Sequence, residues 1–230
     1  AMRATFKAVQ QEKQVAILVP TTILAQQHFE TFCKRFEGTP FIIDVISRFR
    51  TVTEQKKIIK RLQDGKIDVL IGTHRMLSTD VKFKDLGLLV VDEEQRFGVK
   101  HKEKIKQFRT SVDVLTLSAT PIPRTLHMSL MGIRDLSLVN TPPADRRAIR
   151  TRLLPANEYI IQEAVSREIR RDGQVFIVHN SIDTIYEYGR YLVNILPNAK
   201  IVIGHGQMRE EKLEKVMLDF INGEFNVLLS

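Results

Sequence analysis

The feature that most constrains this chain is a pair of short apolar runs that each stop abruptly at polar side chains. The first, Leu86-Gly87-Leu88-Leu89-Val90-Val91, ends at Asp92-Glu93-Glu94-Gln95. The second, Val114-Leu115-Thr116-Leu117, ends at Ser118-Ala119-Thr120. Runs this short and this rich in Leu and Val suit strands buried on both faces of a parallel sheet. In open sheets of that kind the ligand crevice lies beyond the carboxyl ends of the strands. Carboxylates and hydroxyls delivered to one crevice suit metal-assisted phosphate chemistry.

The same alternation fills the rest of the chain. Residues 1–11 predict the remainder of a helix, and residues 15–19 a strand that stops at Pro20-Thr21-Thr22. Proline disfavours helix at the residue before it and suits a helix's first turn, so it marks the corner. A helix follows through Ile23, Leu24, Gln27, His28, Phe32 and Phe36 to near Gly38, and then a strand over residues 41–46 leads into Ser47-Arg48-Phe49-Arg50. Thr51-Val52-Thr53-Glu54 has the form of a capping box ahead of a helical stripe at Ile58, Ile59 and Leu62, with Gly65 as its stop. A strand over residues 67–71 ends at Gly72-Thr73-His74, and Met128 to Met131 suit a further helix.

Adjacent prolines in Asn140-Thr141-Pro142-Pro143-Ala144-Asp145-Arg146-Arg147 stiffen that stretch without allowing helix or central strand, which marks it as a linker. Beyond it the pattern predicts a helix over residues 157–171 and a strand over 175–178 ending in His179-Asn180. A helix over 182–196, a strand over 201–203 ending in Gly204-His205-Gly206-Gln207, a helix over 211–221 and a strand over 227–229 complete it. Regular alternation of this kind implies right-handed crossovers and parallel sheets covered by helices. The expected fold is α/β, with two parallel-sheet domains over residues 1–145 and 146–230.

Composition narrows the class. Hydrophobic content of 43% and charged content of 27% over 230 residues fit a globular chain and argue against disorder. No apolar run approaches membrane-spanning length. The first residues, Ala1-Met2-Arg3-Ala4-Thr5-Phe6-Lys7, lack a secretory signal's apolar core and begin inside a helical pattern, as a fragment would. Cys33 stands alone, so no intrachain disulfide forms, and a reducing, cytoplasmic compartment is expected. A formal charge of +8 fits a polyanionic partner such as nucleic acid.

If both sheets are parallel, the polar strand ends share one side and can line a cleft between the domains. There Asp92 suits a magnesium ligand, direct or through water, and Glu93 a general base for an attacking water. Their other reading is a solvated acidic turn capping the next helix. Ser118 and Thr120 can hydrogen-bond the Asp92-Glu93 loop, or simply cap. Thr21, Thr22, Thr73 and His74 suit contacts to a nucleic-acid backbone, and suit capping equally. Arg48, Arg50, Arg96 and Arg124 are candidate phosphate ligands on the same footing as solvated surface arginines. The basic run 100–106 reads as a solvated helix face, and His28 and His127 as packing or surface residues. No Gly-x-x-x-x-Gly-Lys-[Ser/Thr] occurs, so the chain as it stands is not expected to hydrolyse ATP efficiently.

The order Pro20-Thr21-Thr22, Gly72-Thr73-His74, Asp92-Glu93-Glu94-Gln95, Ser118-Ala119-Thr120 resembles motifs Ia, Ib, II and III of superfamily 2 helicases and translocases. Residues 92–99 and the run Ser118-Ala119-Thr120-Pro121-Ile122-Pro123-Arg124 narrow the resemblance to the subgroup shared by RecG branch-migration helicases and bacterial transcription-repair coupling factors. Lys82-Phe83-Lys84-Asp85-Leu86-Gly87, Ser47-Arg48-Phe49-Arg50 and Gly204-His205-Gly206-Gln207-Met208-Arg209 favour the coupling factors.

That resemblance implies two RecA-like domains forming a double-stranded DNA translocase, with ATP and Mg2+ bound between them and movement that pushes stalled RNA polymerase off a lesion. It makes Asp92 the metal-coordinating residue and Glu93 the catalytic base. Gln95, Ser118 and Thr120 become the coupling elements, although Gln95 stands where some members carry His. Thr21, Thr22, Arg48, Thr73 and His74 are assigned to the DNA track, with His179, Asn180, Gly206 and Gln207 in the second domain. It further implies that the chain starts just after the phosphate-binding loop and ends before motifs V and VI. The regions that engage RNA polymerase and the excision-repair protein UvrA then lie outside it. A fork-remodelling helicase and a DNA-binding module without ATPase activity are the alternatives.

Overall fold

Gln14-Val15-Ala16-Ile17-Leu18 forms β1 (Gln14–Leu18), every residue of which is buried in the computed structural model. The structure describes residues 1–108, 112–119, 135, 137–141, 149–155 and 157–230. A strand buried along its whole length needs neighbours on both edges and cover on both faces. It pairs in parallel with β3 (Val69–Gly72) on one side and β4 (Leu86–Asp92) on the other. β2 (Ile43–Ile46) adds to β3 and β5 (Asp113–Leu117) to β4, giving a five-stranded parallel sheet in the order β2-β3-β1-β4-β5.

Alternation along the strands divides the core between the two faces. Ala16, Leu18, Leu70, Leu89 and Val91 pack with Ile58, Ile59 and Leu62 of α3 (Val52–Gln63) and Ile105 of α4 (Val99–Phe108). Val15, Ile17, Ile71 and Val90 pack with Val9 of α1 (Met2–Gln10) and Ala25 and Phe32 of α2 (Thr22–Arg35). Each fully buried Leu, Ile or Phe contributes about 1.5–3 kcal/mol, so both faces are strongly held. α3 starts where expected, at a capping box in which the Glu54 N–H donates to Thr51 Oγ1 (3.3 Å) and the Thr51 N–H donates to Glu54 Oε2 (2.7 Å). The bonds from Thr51, backbone first, hold the Glu54 carboxyl below its ordinary value. Gly65, at φ +74°, supplies the left-handed residue just past the end of α3.

Two strands start two residues later than the hydrophobic pattern suggests, and in both cases a side chain engages the backbone just ahead of the strand. The expected strand over residues 67–71 begins at Val69, because the Ile67 carbonyl accepts from the Gln14 side chain (2.8 Å). The one expected over 41–46 begins at Ile43, the Ile42 N–H being given to Asp68 Oδ2 (2.7 Å). Gln14 itself is a saturated connector. Its Nε2 also donates to the Leu62 carbonyl (3.0 Å), and its Oε1 accepts from the backbone of Lys84 (2.7 Å) and Asp85 (3.0 Å).

The chain divides into two compact units, Ala1–Leu138 and Val139–Ser230. The run read as a linker is described only at Asn140 and Thr141, and the helix expected around Met128 to Met131 lies outside the described residues. The second unit contains α5 (Glu158–Ile169), β6 (Val175–Ile177), α6 (Ile185–Ile195), β7 (Ile201–Ile203), α7 (Glu210–Ile221) and β8 (Val227–Leu229). Its strands are parallel in the order β6-β8-β7, over a core that includes Val165, Ile185, Leu192, Val227 and Leu229. α6 starts at Ile185 rather than near 182, since Thr184 Oγ1 is engaged with His179 Nε2 (2.7 Å) in the turn before it. Gln174 repeats the Gln14 device ahead of β6, its amide donating to the carbonyls of Phe220 and Phe225.

Replacing Gln14 with Ala removes the partner of the Ile67 carbonyl and of two N–H groups, while the Leu62 carbonyl keeps the Gly65 N–H, and is expected to cost about 2–4 kcal/mol of unfolding free energy. A denaturant midpoint unchanged in Gln14→Ala would show that these bonds are not structural.

Candidate active site

Because the first sheet is wholly parallel, the carboxyl ends of β1 to β5 lie along one edge. Thr21, Ser47, Thr73, Glu93 and Ser118 all follow strands that end there. Asp92 is the last residue of β4 and stands opposite Leu117, the last of β5; the next N–H, of Glu93, donates to the Leu117 carbonyl (3.1 Å). The acidic corner is thereby fixed to the end of β5.

Glu93 adopts φ +52°, ψ +47°, a left-handed conformation that a side chain with a Cβ occupies at a cost of about 1–2 kcal/mol. A tight 3-10 turn over Glu94–Arg96 follows it. Gln95 donates its amide to Glu93 Oε2, and Gln95 Oε1 accepts from Ser118 Oγ at 3.3 Å. A continuous line of hydrogen bonds therefore runs from the end of β5, through Gln95, to the Glu93 carboxylate. Arg96 Nε lies 3.7 Å from the same carboxylate oxygen. Thr120 and Arg124 lie outside the described residues.

Asp92 has a partner that sequence reasoning missed. His28 Nε2 lies 3.0 Å from Asp92 Oδ2, with both side chains about four-fifths buried (21% and 22% exposed). His28 was expected to be a packing or surface residue. It instead links the middle of α2 to the end of β4, across 64 residues of sequence. Nothing in the local pattern marks it, because only the placement of β1 beside β4 brings α2 over that corner.

The second oxygen of Asp92 has no hydrogen-bond partner among the described residues. Those residues also contain no group of three or more His, Cys, Asp or Glu side chains able to hold a metal ion. A single hard carboxylate oxygen without a protein cage suits Mg2+, which keeps waters and relies on substrate phosphates for its remaining ligands.

The other residues singled out from the sequence fall into distinct settings. Thr21 Oγ1 caps α2, accepting from the Leu24 N–H (3.2 Å), while Thr22 and Thr73 are each only 4% exposed and form walls of the edge. Arg48 and His74 are exposed on it, and the His74 ring lies 5.6 Å from that of His101. In the second unit His179 and His205 both follow strands of the parallel sheet. The His179 ring stacks on Tyr188 (4.8 Å, 10°), and His205 Nε2 pairs with the Tyr186 hydroxyl (2.9 Å). Asn180, Gly206 and Gln207 are exposed beside them.

Residues 1–129 match the DEAD/DEAH box helicase family and residues 156–230 the helicase conserved C-terminal domain. The chain belongs to the DEAD/DEAH box helicase family. Among curated relatives it is 55% identical to the transcription-repair-coupling factor of Staphylococcus haemolyticus over 230 residues. It is 56% identical over 229 residues to that of Escherichia coli, and 54% to that of Haemophilus influenzae. Each match takes in the whole of this chain and 20% of the relative, so the chain spans about a fifth of their length.

Among solved structures, RecG bound to a three-way DNA junction is 35% identical, with a TM-score of 0.71, over 95% of this chain and 29% of that one. Yeast Dbp5 bound to RNA and ADP BeF3, at 15% identity and a TM-score of 0.60, covers 99% of this chain and 60% of its own, and shares the fold. These similarities agree with the one the motifs indicate, and the α/β fold with parallel RecA-like sheets is the one expected.

The strain at Glu93 is measurable. Glu93→Gly and Glu93→Ala both delete the carboxylate, but only Ala keeps a Cβ in the left-handed conformation, so the Gly variant is expected to be more stable by about 1 kcal/mol. Equal unfolding free energies would remove the strain argument.

Proposed function

We propose that the chain is part of an ATP-dependent double-stranded DNA translocase of the transcription-repair coupling type, with residues 1–145 and 146–230 contributing its two motor domains. The observation that carries this reading is the line Ser118–Gln95–Glu93 beside the His28-held Asp92. Asp92 would hold Mg2+ through its oxygen not engaged by His28. Held there with ATP, Mg2+ would supply positive charge to offset the charge that develops on the phosphates. Glu93 accepts a proton from the attacking water, and the Gln95 amide keeps its carboxylate aimed. Ser118 senses Gln95, so a shift at the end of β5 changes how Glu93 is held; that is the proposed coupling of hydrolysis to DNA movement.

Thr21, Thr22, Arg48, Thr73 and His74, with His179, Asn180, Gly206 and Gln207, would follow the DNA backbone without reading sequence. The formal charge of +8 supports a polyanionic track. RNA polymerase and UvrA are proposed partners of the whole protein in the bacterial cytoplasm; the relatives' printed name, transcription-repair-coupling factor, supports a link between transcription and repair. No helix among the described residues is long and apolar enough to cross a membrane. The RecG structure at 35% identity favours fork remodelling as the second reading, with the identity of 54–56% to coupling factors weighing against it.

Two outcomes are expected. DNA-stimulated ATPase activity should be negligible in the 230-residue chain and present in a longer form that carries a phosphate-binding loop. Glu93→Gln should abolish it there, lowering turnover by about 100-fold or more, as loss of a general base does. Activity surviving in Glu93→Gln would reassign the base, and no activity in any folded form would favour a DNA-binding module. Regression on a synthetic fork exceeding displacement of a strand from duplex would favour the fork-remodelling reading. Separately, duplex affinity of the 230-residue chain should fall steeply between about 50 and 200 mM salt, by counterion release. An affinity indifferent to salt would count against backbone tracking.

A further inference from the structure

At the far end of the same edge, two side chains tie the loops after β2 and β3 together. The Gln55 amide, on the first turns of α3, donates to the carbonyls of Ser47 (3.2 Å) and Arg50 (2.9 Å). Its Oε1 accepts from Arg75 Nε at 2.9 Å. Arg75 turns its remaining two nitrogens onto Asp80, at 2.7 and 2.6 Å. The whole side-chain capacity of Gln55 on this side is thus used to hold the backbone on either side of Arg48 to the helical turn over His74–Leu77.

We infer that Gln55 and Arg75 are positioning residues that lock the 47–50 loop and the Thr73-His74 corner into one preformed surface for a nucleic-acid phosphate backbone. This rests on the proposed reading that the edge carries DNA.

Three observations converge on it. First, the strand ends are set side by side, Ile46 opposite Gly72, and a Cβ at Gly72 would lie 2.6 Å from the Ile46 carbonyl oxygen. The two loops therefore leave the sheet as close neighbours. Second, the loop backbone is pinned on both sides of its tip. Ser47 Oγ accepts from the Phe49 N–H (3.3 Å), the Arg50 N–H donates to the Ser47 carbonyl (3.1 Å), and the Thr51–Glu54 capping box closes the far side. Arg48 is left exposed at the tip, and His74 is exposed on the neighbouring corner.

Third, the charges are sorted. Asp80 raises the affinity of Arg75 for its proton through their hydrogen bonds, and Arg75 in turn holds the Asp80 carboxyl below its ordinary value. A guanidinium committed to a fork-to-fork carboxylate pair is a structural strut rather than a phosphate ligand. Gln55 is neutral, so the frame adds no net charge of its own, and Arg48 and His74 are the exposed basic side chains that it sets side by side. A long arginine held on a fixed loop loses less freedom when it meets a phosphate, which is the general advantage of preorganisation.

The test uses the 230-residue chain and a fluorescein-labelled duplex, with fluorescence anisotropy read across about 50 to 200 mM salt. Arg48→Ala reports on the underlying reading and is expected to weaken binding and to lower the salt slope by about one. Gln55→Ala keeps every charge on the edge, yet is expected to weaken binding by about three- to tenfold at fixed salt, the scale of one or two hydrogen bonds' worth of ordering. In the same variant the amides of Phe49 and Arg50 should exchange hydrogen faster, a change that loss of a merely supportive contact elsewhere in α3 would not produce. Arg75→Lys retains a cation for Asp80 but cannot reproduce the Nε–Gln55 bond, and should move affinity in the same direction even if Gln55→Ala folds poorly. If Arg48→Ala binds like the parent, the edge does not carry DNA and both readings fall. If Arg48→Ala is weakened while Gln55→Ala and Arg75→Lys bind like the parent, the frame alone is overturned.

Discussion

The parallel pairing of β4 with β5 is the contact on which the acidic corner at Asp92 and Glu93 depends. It places Asp92 opposite Leu117 and lets the Glu93 N–H close onto the Leu117 carbonyl. A residue in a left-handed conformation persists only where its surroundings over-determine it. Here the surroundings are that bond, the Gln95 amide and the turn over Glu94–Arg96. Shift the register of β5 by one residue and Ser118 no longer meets Gln95, because successive side chains in a strand point to opposite faces. A packing decision deep in the sheet thus reaches a carboxylate at its edge.

Depth of burial explains why such precision is available. β1 is enclosed on both faces and both edges, and its neighbours β3 and β4 carry the corners on either side of it. Polar side chains admitted to that interior are few. Gln14 satisfies backbone groups at the end of α3, in the turn before β3 and in the loop before β4, and Gln174 does a similar task ahead of β6 in the second unit. An amide suits this role because it donates and accepts without bringing a charge into a dry region. Gln55 uses the same chemistry at the surface, between the loops after β2 and β3. Gln14, Gln55 and Gln174 thus each tie together segments that are distant in sequence.

His28 and Glu93 show two kinds of functional constraint. Glu93 stores local backbone strain, which the chain around it compensates. His28 is an ordinary helical residue whose importance comes entirely from what lies across from it, at 3.0 Å from Asp92. A carboxylate with one oxygen engaged has fewer ways to turn, and outer-shell partners of this kind orient metal ligands in many sites. In the proposed motor, α2 therefore contributes to the metal site as well as to the core through Ala25 and Phe32.

Much was legible in the residues alone. Apolar runs of Leu, Val and Ile between polar stops gave the strands and the α/β class, because a strand buried on both faces has almost no other composition available to it. Thr51 and Glu54 declared the start of α3 through chemistry confined to four residues. Asp92, Glu93 and Ser118 stood out at the ends of such runs, and Gln95 through the resemblance to helicase motif II.

Contacts between segments distant in sequence were decided only in three dimensions. The order β2-β3-β1-β4-β5 set which crossover helix covers which corner, and with it the His28–Asp92 pair. The left-handed Glu93, the Ser118–Gln95 bond and the late starts of β2 and β3 likewise depend on partners from other strands or loops. Local sequence determines what a segment prefers to be. Which backbone group meets which side chain is settled by packing, where each buried polar group must find its partner among segments that arrive from elsewhere in the chain.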